Sequence, residues 1–430
     1  MSAALKRGAC PSLHAPMQTG DGLLLRIGFD AGVAPSGLTQ IAHLAGRLGN
    51  GIVEITARGS LQIRGLDEQT APQIAEAIEA LGMPLRSGVP VETTPLSGID
   101  PAEISDPRPL AAAIRSGIAK EGLTARLGPK VSVIVDGGGK LRHNDSPADI
   151  RLTADGAQWL VSVGGTAQTA GPLAFGSESE AVRLTLDMLK RIAALGLEGR
   201  GRDLNIEGEQ LALTARPPIR SADPIGLHTL TEGRTALGIG LPFGQIEHDR
   251  LEALMDAAAA LGVSEIRLAP ARALLAVCPG NNATKALRRY AAKLGFITNA
   301  SDPRLAIITC AGKPACGSAF IATKAIAAEI AAMSANGFDR HFRLHVSGCE
   351  KRCAGMIAEG VTIIGTSAGA RLAVEGQPEI IETSSQDVVS AATALAQRFH
   401  GKKSAKRFSP GFSRRSARSS VAGSIQPETR

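Results

Sequence analysis

Thr309-Cys310-Ala-Gly-Lys-Pro-Ala-Cys316-Gly317 and Ser347-Gly-Cys349-Glu-Lys-Arg-Cys353-Ala354 set four cysteines in the order C-x5-C, a thirty-two-residue gap, C-x3-C. A cubane [4Fe–4S] cluster needs four thiolates converging from different directions, and two separated cysteine pairs supply them. The i,i+4 spacing of Cys349 and Cys353 predicts that both sulfurs share one face of a helical turn. Gly312, Gly317 and Gly348 leave room for backbone N–H groups to approach the sulfurs and stabilise thiolate charge. A structural zinc site is one alternative, but such sites use C-x2-4-C knuckles, which C-x5-C fits poorly. Unrelated buried cysteines are the other.

Around this centre the chain is 430 residues long, enough to bury large cores and to hold about two to four domains. Its 44% hydrophobic content, with abundant Ala and Gly, is that of a soluble globular protein. There is no membrane-length apolar run, and Lys6 and Arg7 precede no apolar signal-peptide core, so a cytoplasmic location is expected. Cys10 and Cys278 stand outside the quartet, and a reducing compartment suits a cluster better than disulfides. The net charge of +7 is local. Residues 401–430 carry eight Lys or Arg against Glu428, which leaves 39 basic and 39 acidic side chains in the rest. The body is neutral, so nucleic acid is not an expected partner. The Ser-, Arg- and Gly-rich tail reads as a disordered basic appendage, with contact to an acidic partner or RNA as the alternative.

A weak internal repeat organises the first 300 residues. Ile27-Gly28-Phe29, a helical stretch to Leu48-Gly49 and a strand at Ile52–Ile55 recur as Ile239-Gly240-Leu241, a stretch to Leu261-Gly262 and Glu265–Leu268. Arg58, Leu61 and Ile63 then match Arg272, Leu275 and Val277 at a constant offset of 214. Each copy reads strand, helix, strand, short strand, half of a ferredoxin-like unit, with Leu38, Ile41, Leu44, Ala45 and Leu48 as the apolar helical face. Between the copies, Lys130–Asp136 reads as a strand entering the Gly137–Gly139 turn. Strands at Asp149–Thr153 and Gln158–Val163 and a helix at Glu178–Leu195 follow. After the second copy, strands at Leu305–Thr309 and His341–Ser347 feed the two cysteine pairs, with a helix at Ala322–Ala335 between them. Gly137–Gly139 is too weak a glycine run for a nucleotide site, and no P-loop is present.

The cysteine quartet and this layout resemble the nitrite/sulfite reductase superfamily over about residues 5–400. The resemblance implies an α+β chain in which two ferredoxin-like half-units alternate with two α/β domains. The expected boundaries are half-domain 1 at 15–88, α/β domain 1 at 89–225, half-domain 2 at 226–298, a 4Fe–4S-binding α/β domain 2 at 299–400, and the tail at 401–430. It implies Cys310, Cys316, Cys349 and Cys353 as cluster ligands, with Cys353 also touching a second metal centre.

Thr56-Ala-Arg58-Gly-Ser60-Leu-Gln62-Ile-Arg64 looks like the family's tetrapyrrole-binding segment, with Gly59 where the family prefers Gln. Strand alternation would set Arg58, Ser60, Gln62 and Arg64 on one face, and guanidinium forks match the carboxylates of an isobacteriochlorin. Arg26, Arg86 and Lys130 stand where the superfamily keeps anion-binding residues. The sulfite-reducing members carry a second lysine where this chain has Ser132.

The opening, Arg7-Gly-Ala-Cys10-Pro-Ser-Leu-His14-Ala-Pro16-Met-Gln-Thr19-Gly20-Asp21-Gly22, closely resembles that of the precorrin-3B synthase family. Ser347-Gly-Cys-x-Lys351-x-Cys-Ala is also closer to that family than to siroheme reductases, with Arg352 replacing a usual Gly. The resemblance implies an O2-dependent monooxygenase of aerobic cobalamin biosynthesis that hydroxylates precorrin-3A and closes a γ-lactone. It implies an electron donor such as an NADH-linked reductase or ferredoxin, and a mononuclear non-haem iron beside the [4Fe–4S] cluster. No His-x-Asp/Glu pair offers ligands for that iron, and His14 and His345 read as ordinary histidines. The alternative is an assimilatory sulfite or nitrite reductase with bound siroheme.

Overall fold

Apolar residues at Leu38, Ile41, Ala42 and Ala45 recur at helical spacing and form the buried face of a helix over Pro35–Leu48, opened by Pro35 in its first turn. This helix is the first-copy partner of His248–Ala260, which buries Leu251, Leu254, Met255 and Ala258. The two helices lie side by side in one core shared by both copies. The computed structural model describes residues 10–206, 211, 221–334, 343–353, 360–374, 380–384 and 387–395. The basic tail and the start of the N-terminal motif before Cys10 lie outside the described residues.

The first sheet runs in the order Met17–Thr19, Gly22–Ile27, Leu61–Leu66, Ile52–Ile55, Gln245–Glu247. Its last strand comes from the second copy, pairing Ile246 with Val53. The second sheet runs Gly226–Thr229, Thr235–Gly240, Ala273–Cys278, Glu265–Ala269. Here the first copy reciprocates: Val33 and Ile266 exchange backbone bonds of 2.9 and 2.7 Å. Each half-unit thus completes the edge of the other's sheet, which satisfies backbone groups that neither could pair alone.

The two remaining sheets share one plan. Val91–Thr93, Val133–Asp136, Ile150–Asp155, Gln158–Val163 and Gly171–Gly176 form the first. Ile307–Thr309, Leu344–Ser347, Val361–Thr366, Gly369–Val374 and Ile380–Thr383 form the second. In each, two parallel pairings are followed by two antiparallel ones. Helix Pro107–Lys120 makes the crossover in the first and Thr323–Met333 in the second. Asp106 caps the former by accepting the Arg108 N–H at 3.0 Å, and a Ser177–Glu180 capping box opens helix Glu178–Ala194.

Strand ends differ slightly from the sequence reading. The strand expected from Lys130 begins at Val133, because the Ser132 N–H is taken by the Asp149 carboxylate at 2.9 Å rather than by a neighbouring strand. The strand expected from Leu305 begins at Ile307, after a 3-10 turn over Pro303–Ala306 that Asp302 caps. Among the described residues no helix is long and apolar enough to cross a membrane.

Candidate functional site

Strands Ile307–Thr309 and Leu344–Ser347 are parallel neighbours, with Thr309 opposite Val346. Their carboxyl ends therefore deliver Cys310 and Cys349 to the same end of the sheet, the place where open α/β sheets form their binding crevices. Cys310, Cys316 and Cys349 are buried, and Cys353 is exposed. The Gly348 N–H donates to Cys310 Sγ at 3.1 Å. Thr323 Oγ1 holds the Cys310 carbonyl at 2.9 Å, and Ser347 Oγ holds the Cys349 carbonyl at 2.7 Å. Burial pushes the Cys310 thiol up, while the Gly348 bond works the other way and the nearby Cys353 and Cys316 sulfurs add to the rise. Residues Cys349–Cys353 form a turn, not the expected helical turn. Arg352 sits at φ +46, the left-handed region, which accounts for the glycine the family prefers there. Among the described residues no three His, Cys, Asp or Glu groups gather closely enough for a single metal ion. The soft, all-sulfur donor set with a backbone N–H on sulfur fits an iron–sulfur group.

Cys310 and Cys353 open into a cavity of about 580 Å³, lined on its far side by Arg26, Glu54, Gln62, Arg64 and Arg272. Glu54 is the hub. It accepts Arg64 Nη1 at 3.2 Å and Gln245 Nε2 at 2.5 Å. Gln62, in the amide orientation that satisfies its neighbours, donates to Glu54 at 2.9 Å and accepts Arg26 Nη2 and Nε at 2.9 and 3.0 Å. Arg64 is spent on the protein itself: Nε and Nη2 each meet Asp21 at 2.8 Å. Burial opposes the Arg64 charge, yet Glu54 and Asp21 outweigh it and raise its pKa. Its role is a clamp, whereas among the described residues Arg26 hydrogen-bonds only the Gln62 amide, and burial lowers its pKa.

Arg272 is the cavity residue that the sequence reading passed over, although it marked the match to Arg58. Ala271 and Arg272 both adopt left-handed backbone, at φ 60 and 63. Among the described residues no hydrogen bond or ion pair engages the Arg272 guanidinium, and burial lowers its pKa. Gly244 makes room for it, since a Cβ there would stand 2.5 Å from Arg272 Cδ.

Comparison with known proteins places this geometry. The nitrite/sulfite reductase ferredoxin-like half domain matches residues 15–81. A precorrin-3B synthase of Sinorhizobium is 39% identical over 409 residues, 92% of this chain and 88% of that protein. The chain belongs to the precorrin-3B synthase family. It is accordingly an enzyme of the oxidoreductase type. The ferredoxin–nitrite reductase of spinach is 25% identical over 77% of this chain and 64% of its own length. The NirA protein of Mycobacterium tuberculosis shares the fold, with a TM-score of 0.64 at 17% identity over 86% of this chain and 79% of that one.

In this member of the precorrin-3B synthase family the seven expected tetrapyrrole residues are not gathered in one cavity. Arg26, Gln62 and Arg64 line the cysteine cavity. Arg58 and Arg86 line a separate cavity of about 200 Å³ with Glu92, Arg115 and His143. Arg86 is fully engaged, meeting Asp30 at 3.1 Å, Glu92 at 2.8 Å and the Phe29 carbonyl at 2.8 Å. Arg58 Nη2 donates to the Pro147 carbonyl at 2.7 Å. Strand alternation fails for Arg58 and Ser60 because they belong to a tight turn before Leu61–Leu66. Gly59 sits there at φ +76, 2.9 Å from Ala269 for any added Cβ, which explains Gly in place of Gln. Ser60 and Lys130 line none of the three described cavities. Ser132 is buried at 3% exposure, next to an Asp149 carboxylate that pairs with Arg200 at 2.9 Å.

Proposed function

We propose that the cavity between Arg26, Arg272 and the cysteines holds precorrin-3A, and that the chain catalyses its O2-dependent conversion to the hydroxylated γ-lactone. The observation that carries this reading is a pair of half-buried guanidiniums, Arg26 and Arg272, in a cavity whose Glu54 already bonds Arg64. Two cations partly withdrawn from water share the one carboxylate of Glu54, which Arg64 also holds, so the cavity favours a polyanion, and a tetrapyrrole rimmed by carboxylates is one. Cys310, Cys316, Cys349 and Cys353 would hold a [4Fe–4S] cluster at its edge. When bound, such a cluster supplies electrons singly.

The chain's own residues bind and orient. Arg26 and Arg272 fix carboxylates of the ring's edge. In the overall reaction one oxygen atom of O2 enters the substrate. The other leaves as water with two electrons from a donor and two protons. The ring A acetate oxygen forms the lactone C–O bond at the ring carbon next to the hydroxylated one, and the proton it gives up ends on the new hydroxyl. The donor is a redox partner of NADH-linked reductase or ferredoxin type, and the setting is the cytoplasm. A mononuclear non-haem iron belongs to the same reading; among the described residues no ligand triad for it stands out.

The deciding experiment supplies anaerobically purified protein with precorrin-3A, reductant and isotopically labelled O2. A lactone product carrying label is expected. Product formed in strict absence of O2, or siroheme bands in the purified protein, would overturn the reading.

A further inference from the structure

The turn Thr19–Gly22 belongs to the N-terminal motif and reaches the cavity just described through Thr19. Gly20 lies directly on a cysteine: a Cβ there would stand 2.6 Å from Cys316 Sγ, 3.1 Å from Ser318 Oγ and 3.2 Å from Ser318 Cβ. The next side chain, Asp21, is 0% exposed and accepts both Arg64 bonds. Asn50 Nδ2 adds a bond to it at 3.2 Å, and Thr19 Oγ1 closes the turn against Asp21 at 2.8 Å and the Gly22 carbonyl at 2.6 Å. Gly22 sits at φ +111, where a Cβ would meet the Leu66 carbonyl at 2.6 Å. Two adjacent residues therefore touch opposite parts of the site. Gly20 touches the cysteine loop, and Asp21 touches the chain Arg64–Glu54–Gln62–Arg26.

We propose that Thr19–Gly22 is a positioning strap: Gly20 sets the place of the Cys316 thiolate, and Asp21 ties that place to Arg64 and so to the cavity wall. The inference rests on the cluster reading above. A well-packed interior transmits a displacement rather than absorbing it. A methyl group at Gly20 must move the sulfur or the strap. Loss of charge at Asp21 frees the strap from Arg64 without adding an atom.

The test compares anaerobically reconstituted wild type with Gly20→Ala, Asp21→Asn and, as a destabilised control away from the cysteines, Leu38→Ala. Iron and sulfide content, the EPR spectrum of the reduced protein and the rate of iron loss to a chelator are measured. Gly20→Ala should shift the EPR spectrum and lose iron about 10–100-fold faster, the usual effect of disturbing the surroundings of a metal ligand. Asp21→Asn should accelerate iron loss in the same direction and also weaken tetrapyrrole binding. Leu38→Ala should lower stability while keeping the wild-type spectrum and rate. If Gly20→Ala does not fold, Asp21→Asn decides alone. Wild-type spectra and iron-loss rates in the strap variants overturn the proposal. A wild type without iron and sulfide overturns the cluster reading itself, and the strap falls with it.

Discussion

The N–H of Ala271 donates to the carbonyl of Ala57 at 3.0 Å, so the tips of the two duplicated hairpins meet. The arginines that follow, Arg58 and Arg272, match in the repeat but diverge in space. Arg272 enters the cavity of Cys310 and Cys353, and Arg58 enters the other. One repeated pattern thus supplies a cation to each of two cavities.

Arg272→Ala should weaken binding of precorrin-3A or a stable analogue by about 1.5–3 kcal/mol, the range for truncating a hydrogen bond to a charged group. Anaerobic absorbance titration measures it. The fold should persist, because no protein partner of that guanidinium is lost. Unchanged affinity would remove Arg272 from the site.

Arg64→Ala should behave differently, as a stability variant. It leaves the buried Asp21 and Glu54 carboxylates without their cation, a change that costs about 3–5 kcal/mol. Urea unfolding checks this, and a loss under 1 kcal/mol would show that the clamp contributes little.

The same pair sets an acid limit. Burial would raise the Asp21 carboxyl, but its Arg64 bonds hold it below the ordinary 3.8. A depressed folded pKa contributes stability above the unfolded value and loses it as pH falls through the folded one. Wild type should therefore lose stability below about pH 4, more steeply than Asp21→Asn. Parallel acid-unfolding curves for the two proteins would contradict this.

Replacing Cys310, Cys316, Cys349 or Cys353 with Ser should remove iron and destabilise the C-terminal half, since metal binding is coupled to folding. Cys10→Ser and Cys278→Ser should keep the iron. Full iron retention in Cys316→Ser would end the assignment.

The wild type should reduce neither sulfite nor nitrite with a strong artificial donor, and Ser132→Lys should not confer that activity. Ser132 is 3% exposed and lines none of the three described cavities, so a lysine there meets packed interior and should cost about 1–3 kcal/mol of stability. A steady-state assay beside a thermal melt tests both halves of the expectation.

The linear chain already determined the cysteine spacing, the 214-residue repeat and the family resemblance, because spacing and residue type survive without coordinates. It also pointed to Arg26 and Gln62, whose strands place them in the cavity. Which charges remain available for a ligand was decided only by tertiary structure. Arg64 and Arg86 look identical to Arg26 and Arg272 in sequence, yet Asp21 and Glu54 consume the one, and Asp30 and Glu92 the other. Arg58 and Ser60 left the expected strand face because Gly59 turns the backbone against Ala269 of the other copy. The contact of Gly20 with Cys316 joins residues nearly 300 positions apart. A periodicity reports which face of an element is apolar, but pairing among charges depends on which elements meet. That meeting is fixed here by the exchange of strands between the two halves and the single core they share.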